Sequence, residues 1–204
     1  MPIGIDSIVL LAHVVFFCTW LGTDIGVFYS SKFVLQADLG QEARRYCLKI
    51  MNFLDQLPRV SSFAILGTGA TLGILRGYFT LAPIWILVVW LLCLVWIGVV
   101  LYLYLEENPA KIAPVKKWDF RARIVMIMLL VGLSLASFAG KGITGDKWLA
   151  AKLLVLASIM FCGVMMRLAM REFGKYFGPM MNGSATPEET RTALKQADAV
   201  LKGA

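Results

Sequence analysis

The feature that most limits what this chain can become is a succession of long apolar stretches at residues 7–34, 46–76, 83–106, 118–140 and 147–173, separated by short polar junctions. A helix needs roughly 20 apolar residues to cross a hydrocarbon layer about 30 Å thick. In that layer every backbone N–H and C=O must find a partner within the chain, so each stretch reads as a transmembrane helix. The expected architecture is all-α: an integral membrane bundle of five helices over residues 1–177, then a cytoplasmic tail over 178–204. Only 16% of the residues are charged and 59% are hydrophobic, against about 25% charged in an ordinary soluble domain. The mean hydropathy of +0.73 says the same. A signal peptide is not expected, because residues 1–7 lack a basic n-region and the first apolar run exceeds an h-region of about 7–15 residues. The first segment is therefore expected to stay in the membrane.

Within the second stretch Pro58 interrupts the apolar run, and Pro83 opens the third, which ends at Glu106 and Glu107. Residues 108–117 hold two prolines and three lysines and read as a loop. In the tail, Gly183-Ser184-Ala185 reads as a linker. Thr186-Pro187-Glu188-Glu189 has an N-cap threonine, a proline at the first helical position and a glutamate three residues after the cap, so a short amphipathic helix is expected there.

The net charge of +7 would suggest nucleic acid in a soluble chain. In a membrane chain it describes cytoplasmic loops instead, and no nucleic-acid partner is expected. Lys32, Arg44, Arg45, Lys49, Lys111, Lys116, Lys117, Arg121, Arg123 and the basic residues of the tail fall at one set of ends, and Arg76, Lys141 and Lys147 at the other. The rich side should face the cytoplasm, which places the N-terminus outside and the C-terminus inside. Four isolated cysteines, Cys18, Cys47, Cys93 and Cys162, make neither a disulfide framework nor a CxxC metal motif.

Ionisable groups inside a membrane normally face the bundle interior with a partner. His13, Phe17, Trp20 and Asp24 follow at helical spacings and should share an inward face of the first helix. Asp55, Arg59, Ser62, Leu66, Gly69 and Gly73 make a similar stripe in the second, where Gly69, Gly73 and Gly77 invite close approach. At 1.5 Å per residue, Asp24 and Arg59 both lie about 25 Å from the outer end. They are expected to meet as an ion pair that Asp55 can share, a contact that would lock the two helices together. His13, the chain's only histidine, lies at about 10 Å depth and Lys152 at about 8 Å, so they share a layer. Histidine is the usual haem and a common metal ligand, although a packing histidine bonded to a neighbour is the plainer use. Lysine at that depth either snorkels to the interface or pairs with an anionic group.

The run His13-Val-Val-Phe-Phe-Cys-Thr-Trp20, followed by Gly22 and Phe28-Tyr29, resembles the first helix of the bacterial haem-containing protoporphyrinogen oxidases and their relatives, among them the copper-resistance D-type membrane proteins. Trp148-Leu-Ala-Ala-Lys152-Leu-Leu resembles that family's final helix, with Arg167 at its basic end. The resemblance covers two of the five stretches. It implies a haem b site with His13 as axial ligand and metal-binding residue, Lys152 serving the cofactor, Trp20 and Trp148 beside it, and a bacterial inner (cytoplasmic) membrane location. The chain departs from the family in having five stretches rather than about four, and in carrying Ser158-Ile-Met-Phe-Cys where a tyrosine-histidine element is expected. One histidine also excludes bis-histidine ligation within a protomer.

The leading expectation is thus haem-dependent redox chemistry, as a small oxidoreductase or an electron-transfer subunit, with a quinone or porphyrin as small-molecule partner. Two alternatives remain. Cys162, Met166 and Met170 share a helical face, and sulfur ligands suit copper handling or transport. Small-residue faces, including Gly132, Ala136 and Gly140, suit a non-catalytic subunit of a homo-oligomer or larger membrane complex. Hydrolase and nucleotide chemistry is not expected: there is no nucleophile with a histidine partner in a loop, and Gly67-Thr-Gly69 lies inside an apolar helix.

Overall fold

A computed structural model describes residues 4–36 and 39–169, with Glu188, Arg191, Thr192 and Lys195 beyond them. The tail helix expected from the Thr186 cap otherwise lies outside the described residues. The described chain is all-helical: α1 (Ile5–Leu35), α2 (Gln41–Leu54), α3 (Gln56–Leu75), α4 (Ile84–Leu105), α5 (Pro109–Phe138) and α6 (Lys147–Ala169). Four of them, α1, α4, α5 and α6, are long and apolar enough to cross a membrane. The molecule is a multi-pass membrane protein, and its outward apolar side chains form a surface suited to lipid.

Several hydroxyl residues in these helices bond back to the preceding turn, although the buried Ser137 Oγ in α5 finds no partner among the described residues. Thr19 Oγ1 donates to the Val15 carbonyl at 2.9 Å, Thr23 to Thr19 at 2.6 Å and Ser31 to Phe28 at 2.7 Å, the back-bonding that keeps Ser and Thr satisfied inside a helix. α1 meets α3 antiparallel. Asp6 pairs with Arg76 at 3.1 Å at one end, His13 meets Thr68 further in, and a Cβ on Gly26 would touch Leu54 at the other end.

α3 is the central helix, packed between α1 and α4. It carries a long run of buried positions that includes Phe63, Ala64, Ile65, Thr68 and Thr71. Where α4 crosses it, Trp90 Nε1 donates to Thr71 Oγ1 at 3.0 Å. Gly67 leaves room for that indole, since a Cβ there would sit 3.1 Å from three of its ring atoms. Phe63 stacks on Trp96 with ring centroids 4.8 Å apart, and Cys93 and Val100 complete this core.

α5 and α6 pack on each other, while α5 touches α4 only sparsely. Ser134 Oγ donates to the Ala150 carbonyl at 2.7 Å where the pair is closest. Ala150, Ala157 and Val164, at seven-residue spacing, are the buried positions of α6. Thr80 N donates to the Ile143 carbonyl at 2.9 Å and ties the α3–α4 turn to the α5–α6 turn.

The helices differ from the sequence expectation in two places. The second apolar stretch divides into α2 and α3 at Asp55, because Pro58 in the first turn of α3 lacks the N–H that would continue α2's hydrogen bonding. Residues 108–117, expected as a loop, are the start of α5. Asn108 is its N-cap, accepting from Ala110 N at 3.0 Å, and Pro109 sits at a first-turn position where a missing N–H costs nothing. Only Pro114 lies inside the helix proper.

Helix ends follow the backbone rules. Gly140 has φ 72° and donates to Ser137 O, while Lys141 N donates to Ala136 O at 2.9 Å, the bond pattern that closes a helix on a left-handed glycine. Gly77, at φ 69°, ends α3 in the same backbone region.

Candidate cofactor site and a buried ionic node

His13 lies on the side of α1 that faces α3, half-buried, with its Nδ1 2.8 Å from Thr68 Oγ1. Thr68 Oγ1 also lies 2.8 Å from the Ala64 carbonyl and 3.2 Å from the Ile65 carbonyl. With the Thr68 proton directed at Ala64, Oγ1 accepts and Nδ1–H donates; with that proton directed at Nδ1, the roles reverse. A neutral imidazole protonated at Nδ1 carries its lone pair on Nε2. Ligand histidines are held this way, with one nitrogen donating to a fixed acceptor and the other free to bind. Gly69 lets the ring lie close to α3, because a Cβ there would be 3.3 Å from His13 Cε1.

Lys152, expected in the same layer, lies on α6. α6 packs on α5 rather than on α1, so no close helix contact joins the two residues. Lys152 Nζ lies 4.2 Å over the Trp148 ring, and Tyr78 meets that ring edge-on at 6.0 Å. The ammonium is thus held at an aromatic platform near the start of α6. Trp20 lies two turns along α1 from His13, half-buried, with no hydrogen bond or ring contact to it among the described residues. In donor chemistry these residues suit a planar anionic cofactor: an imidazole whose Nδ1 is held by Thr68, one cation, and a glycine beneath the imidazole ring.

The other expected contacts are placed differently. Arg59 pairs with Asp55, one helical turn away, and among the described residues no ion pair joins it to Asp24. Phe17 is 52% exposed, and Asp24 is exposed as well, so the face from His13 to Asp24 turns inward only at His13 and Trp20. The cause is that α1 is a peripheral helix, held by α2 and α3 on one side alone. Gly73 does admit a close neighbour, the Phe79 ring, whereas a Cβ on Gly132 would meet nothing. Cys162 and Met166 are exposed on α6, and Met170 lies outside the described residues. No group of three or more His, Cys, Asp or Glu side chains able to hold a metal ion occurs among the described residues.

The most heavily buried polar constellation is one the sequence reading did not single out. Asp119 on α5 is 2% exposed. It accepts from Trp96 Nε1 at 2.8 Å, from Arg123 Nε at 3.0 Å and from Arg167 Nη1 at 2.9 Å. Arg123 also lies over the rings of Phe63, at 5.5 Å, and Trp96, at 6.0 Å. One carboxylate thus joins α4, α5 and α6, and the guanidinium beside it reaches α3. The i, i+4 spacing of Asp119 and Arg123 was visible in the sequence. It was hidden among loop-like charges because residues 108–117 read as a loop and put these positions at a span's edge.

Comparison with family models, with curated proteins and with solved structures found no match to this chain.

Proposed function

We propose that this chain is a haem b-binding integral membrane protein of redox chemistry, a small membrane oxidoreductase or an electron-transfer subunit, with His13 as the axial ligand. The observation that carries the reading is the 2.8 Å contact of His13 Nδ1 with Thr68 Oγ1; in the tautomer in which Nδ1–H donates, the Nε2 lone pair is left for a metal. Lys152 supports it as a cation expected in the same layer, suited to a propionate and steadied over Trp148. Haem b, when bound, supplies a one-electron centre. The chain's own part is to fix the ligand tautomer through Thr68, to seat the imidazole against Gly69, and to offset anionic charge with Lys152. A site near the outer end suits exchange with a membrane quinone or a porphyrin.

The same reading takes α3 as a fifth span, since its 20 residues are long enough and its hydroxyls and glycines are covered by α1 and α4. It sets the N-terminus outside in a bacterial inner membrane. The Asp6–Arg76 pair gathers the sparsely charged ends on one side, and α2 with the start of α5 gathers the lysines and arginines on the other.

The test is the visible spectrum of detergent-purified protein from haem-replete cells, oxidised and reduced. A Soret band present in wild type and absent in His13→Ala is the expected result. A colourless wild-type preparation would overturn the reading.

A further inference from the structure

The seam between α4 and α5 is open on its basic half. Two apolar grooves flank Trp118. One, of about 370 Å³, is lined by Trp96, Trp118, Ala122, Val125, Met126 and Leu129, with Arg121 at its wall. The other, of about 450 Å³, lies between Val95, Val99, Pro114 and Val115. From Pro114 to Leu129 the seam runs about 22 Å along α5 at 1.5 Å per residue, more than one leaflet's share of a hydrocarbon core about 30 Å thick.

The charge on this seam is the unexplained part. Trp118 and Trp96 lie side by side, with ring centroids 6.0 Å apart, and Trp96 is more than two turns inside the end of α4, the most apolar helix of the bundle. Arg121 is one turn further from the basic end than Trp118. A guanidinium at that depth is costly unless an anion or water reaches it. Arg121 is exposed and has no ion pair or hydrogen bond among the described residues. The buried carboxylate nearest in sequence, Asp119, is already taken by Arg123, Arg167 and Trp96. Lys117, one turn before Arg121 on the same face, is exposed and likewise has no ion pair or hydrogen bond among the described residues. The Trp118 indole is 50% exposed, and its N–H makes no hydrogen bond among the described residues. Two cations and one free N–H donor therefore stand beside a pair of apolar grooves, with Arg121 and Trp118 among the lining residues.

We propose that the α4–α5 seam is a binding site for an anionic diacyl phospholipid of the leaflet at the basic end, its phosphate held by Arg121 and Lys117 and its acyl chains lying in the grooves on either side of Trp118. Charge complementarity selects the occupant. A neutral quinone or a second copy's apolar helix would fill the grooves but leave Arg121 without a counter-charge, and a soluble phosphate would leave the grooves empty. Long basic side chains that run along apolar surface to a phosphate are the usual way membranes accommodate such positions, and anionic lipids recognise basic clusters beside membrane helices. The site is separate from the proposed cofactor residues and does not depend on them.

Native mass spectrometry of the detergent-purified full chain tests this, after equilibration with equal amounts of phosphatidylglycerol and phosphatidylcholine. Wild type is expected to retain phosphatidylglycerol at least tenfold over phosphatidylcholine. Arg121→Gln should cut that preference to twofold or less, Arg121→Lys should keep most of it, and Lys117→Gln should lower it two- to threefold. A photoactivatable phosphatidylglycerol on the wild-type protein gives a readout free of folding defects, and its crosslinks should fall within residues 114–129. Equal retention of the two lipids, an Arg121→Gln protein as selective as wild type, or crosslinks confined to other helices would each overturn the proposal.

Discussion

Removing the Asp119 carboxylate should be among the most damaging single changes this fold can suffer. In Asp119→Ala three donors lose their acceptor at once: Trp96 Nε1 at 2.8 Å, Arg123 Nε at 3.0 Å and Arg167 Nη1 at 2.9 Å. At 2.9 Å and an effective dielectric constant of about 20, one such charge pair is worth roughly 6 kcal/mol of gross attraction, most of it offset by the desolvation of both ions. The net loss is set by what is left behind. Arg123, with 11% of its side chain exposed, has nowhere to take its charge, and stranding a buried ion costs about 3–5 kcal/mol. Arg167, 32% exposed, can turn towards the headgroups and adds little.

Trp96→Phe separates the hydrogen bond from the charge. It keeps an aromatic ring against Phe63 and under Arg123 and removes a single bond to a charged acceptor, worth about 1.5–3 kcal/mol. Because Asp119 keeps both arginines, the low end applies. The assay is reversible unfolding in mixed micelles, with the fraction folded followed by tryptophan emission or circular dichroism. The expected order of destabilisation is Asp119→Ala, then Trp96→Phe, with Arg167→Gln the mildest. An Asp119→Ala protein within about 1 kcal/mol of wild type would refute the reasoning, since it would mean that Arg123 is not held in a dry site.

Other consequences follow from single contacts. Thr68→Val keeps the shape of α3 but removes the hydrogen-bond partner of His13 Nδ1, so haem affinity measured by titration should fall about 10–100-fold while the fold persists. An unchanged affinity would mean that the tautomer is fixed elsewhere. Gly67→Ala should destabilise by about 1–3 kcal/mol, because the added carbon meets the Trp90 ring at 3.1 Å and Thr71 holds that indole in place. Thermal unfolding should show a clear drop, and a neutral result would mean that the ring can slide. Cysteines introduced at Lys141 and Lys111 in a background without native cysteines should label from opposite sides of sealed cells, Lys141 from outside. Labelling of both from one side would contradict the orientation.

How much of this was readable beforehand depended on the kind of signal. Long apolar runs located α1 and α4 and the start of α6 to within a few residues, because in hydrocarbon the backbone has no alternative to a helix; the expected end of the last span lies outside the described residues. The start of α5 was missed because proline was read as a breaker, when Pro109 occupies a first-turn position behind an Asn108 cap. Depth counting put His13 and Lys152 in one layer, and they sit on α1 and α6, helices held by different neighbours. The same counting paired Asp24 with Arg59 but did not decide between two carboxylates at similar depth. Asp55 takes the arginine because it is one turn away on the same helix, at no cost in helix placement. The Asp119 node was out of reach for a different reason. Its partners come from α4, α5 and α6, and no spacing within one stretch announces a contact among three helices.

The account's central claim is that His13 is an axial haem ligand with Nε2 free to bind. A stoichiometric titration of the haem-free purified protein with haem addresses it most directly, with wild type compared against His13→Ala. The account predicts saturation of wild type at one haem per chain, with a Soret shift, and no saturable binding by His13→Ala. Equal binding by the two proteins, or none by wild type, would contradict it.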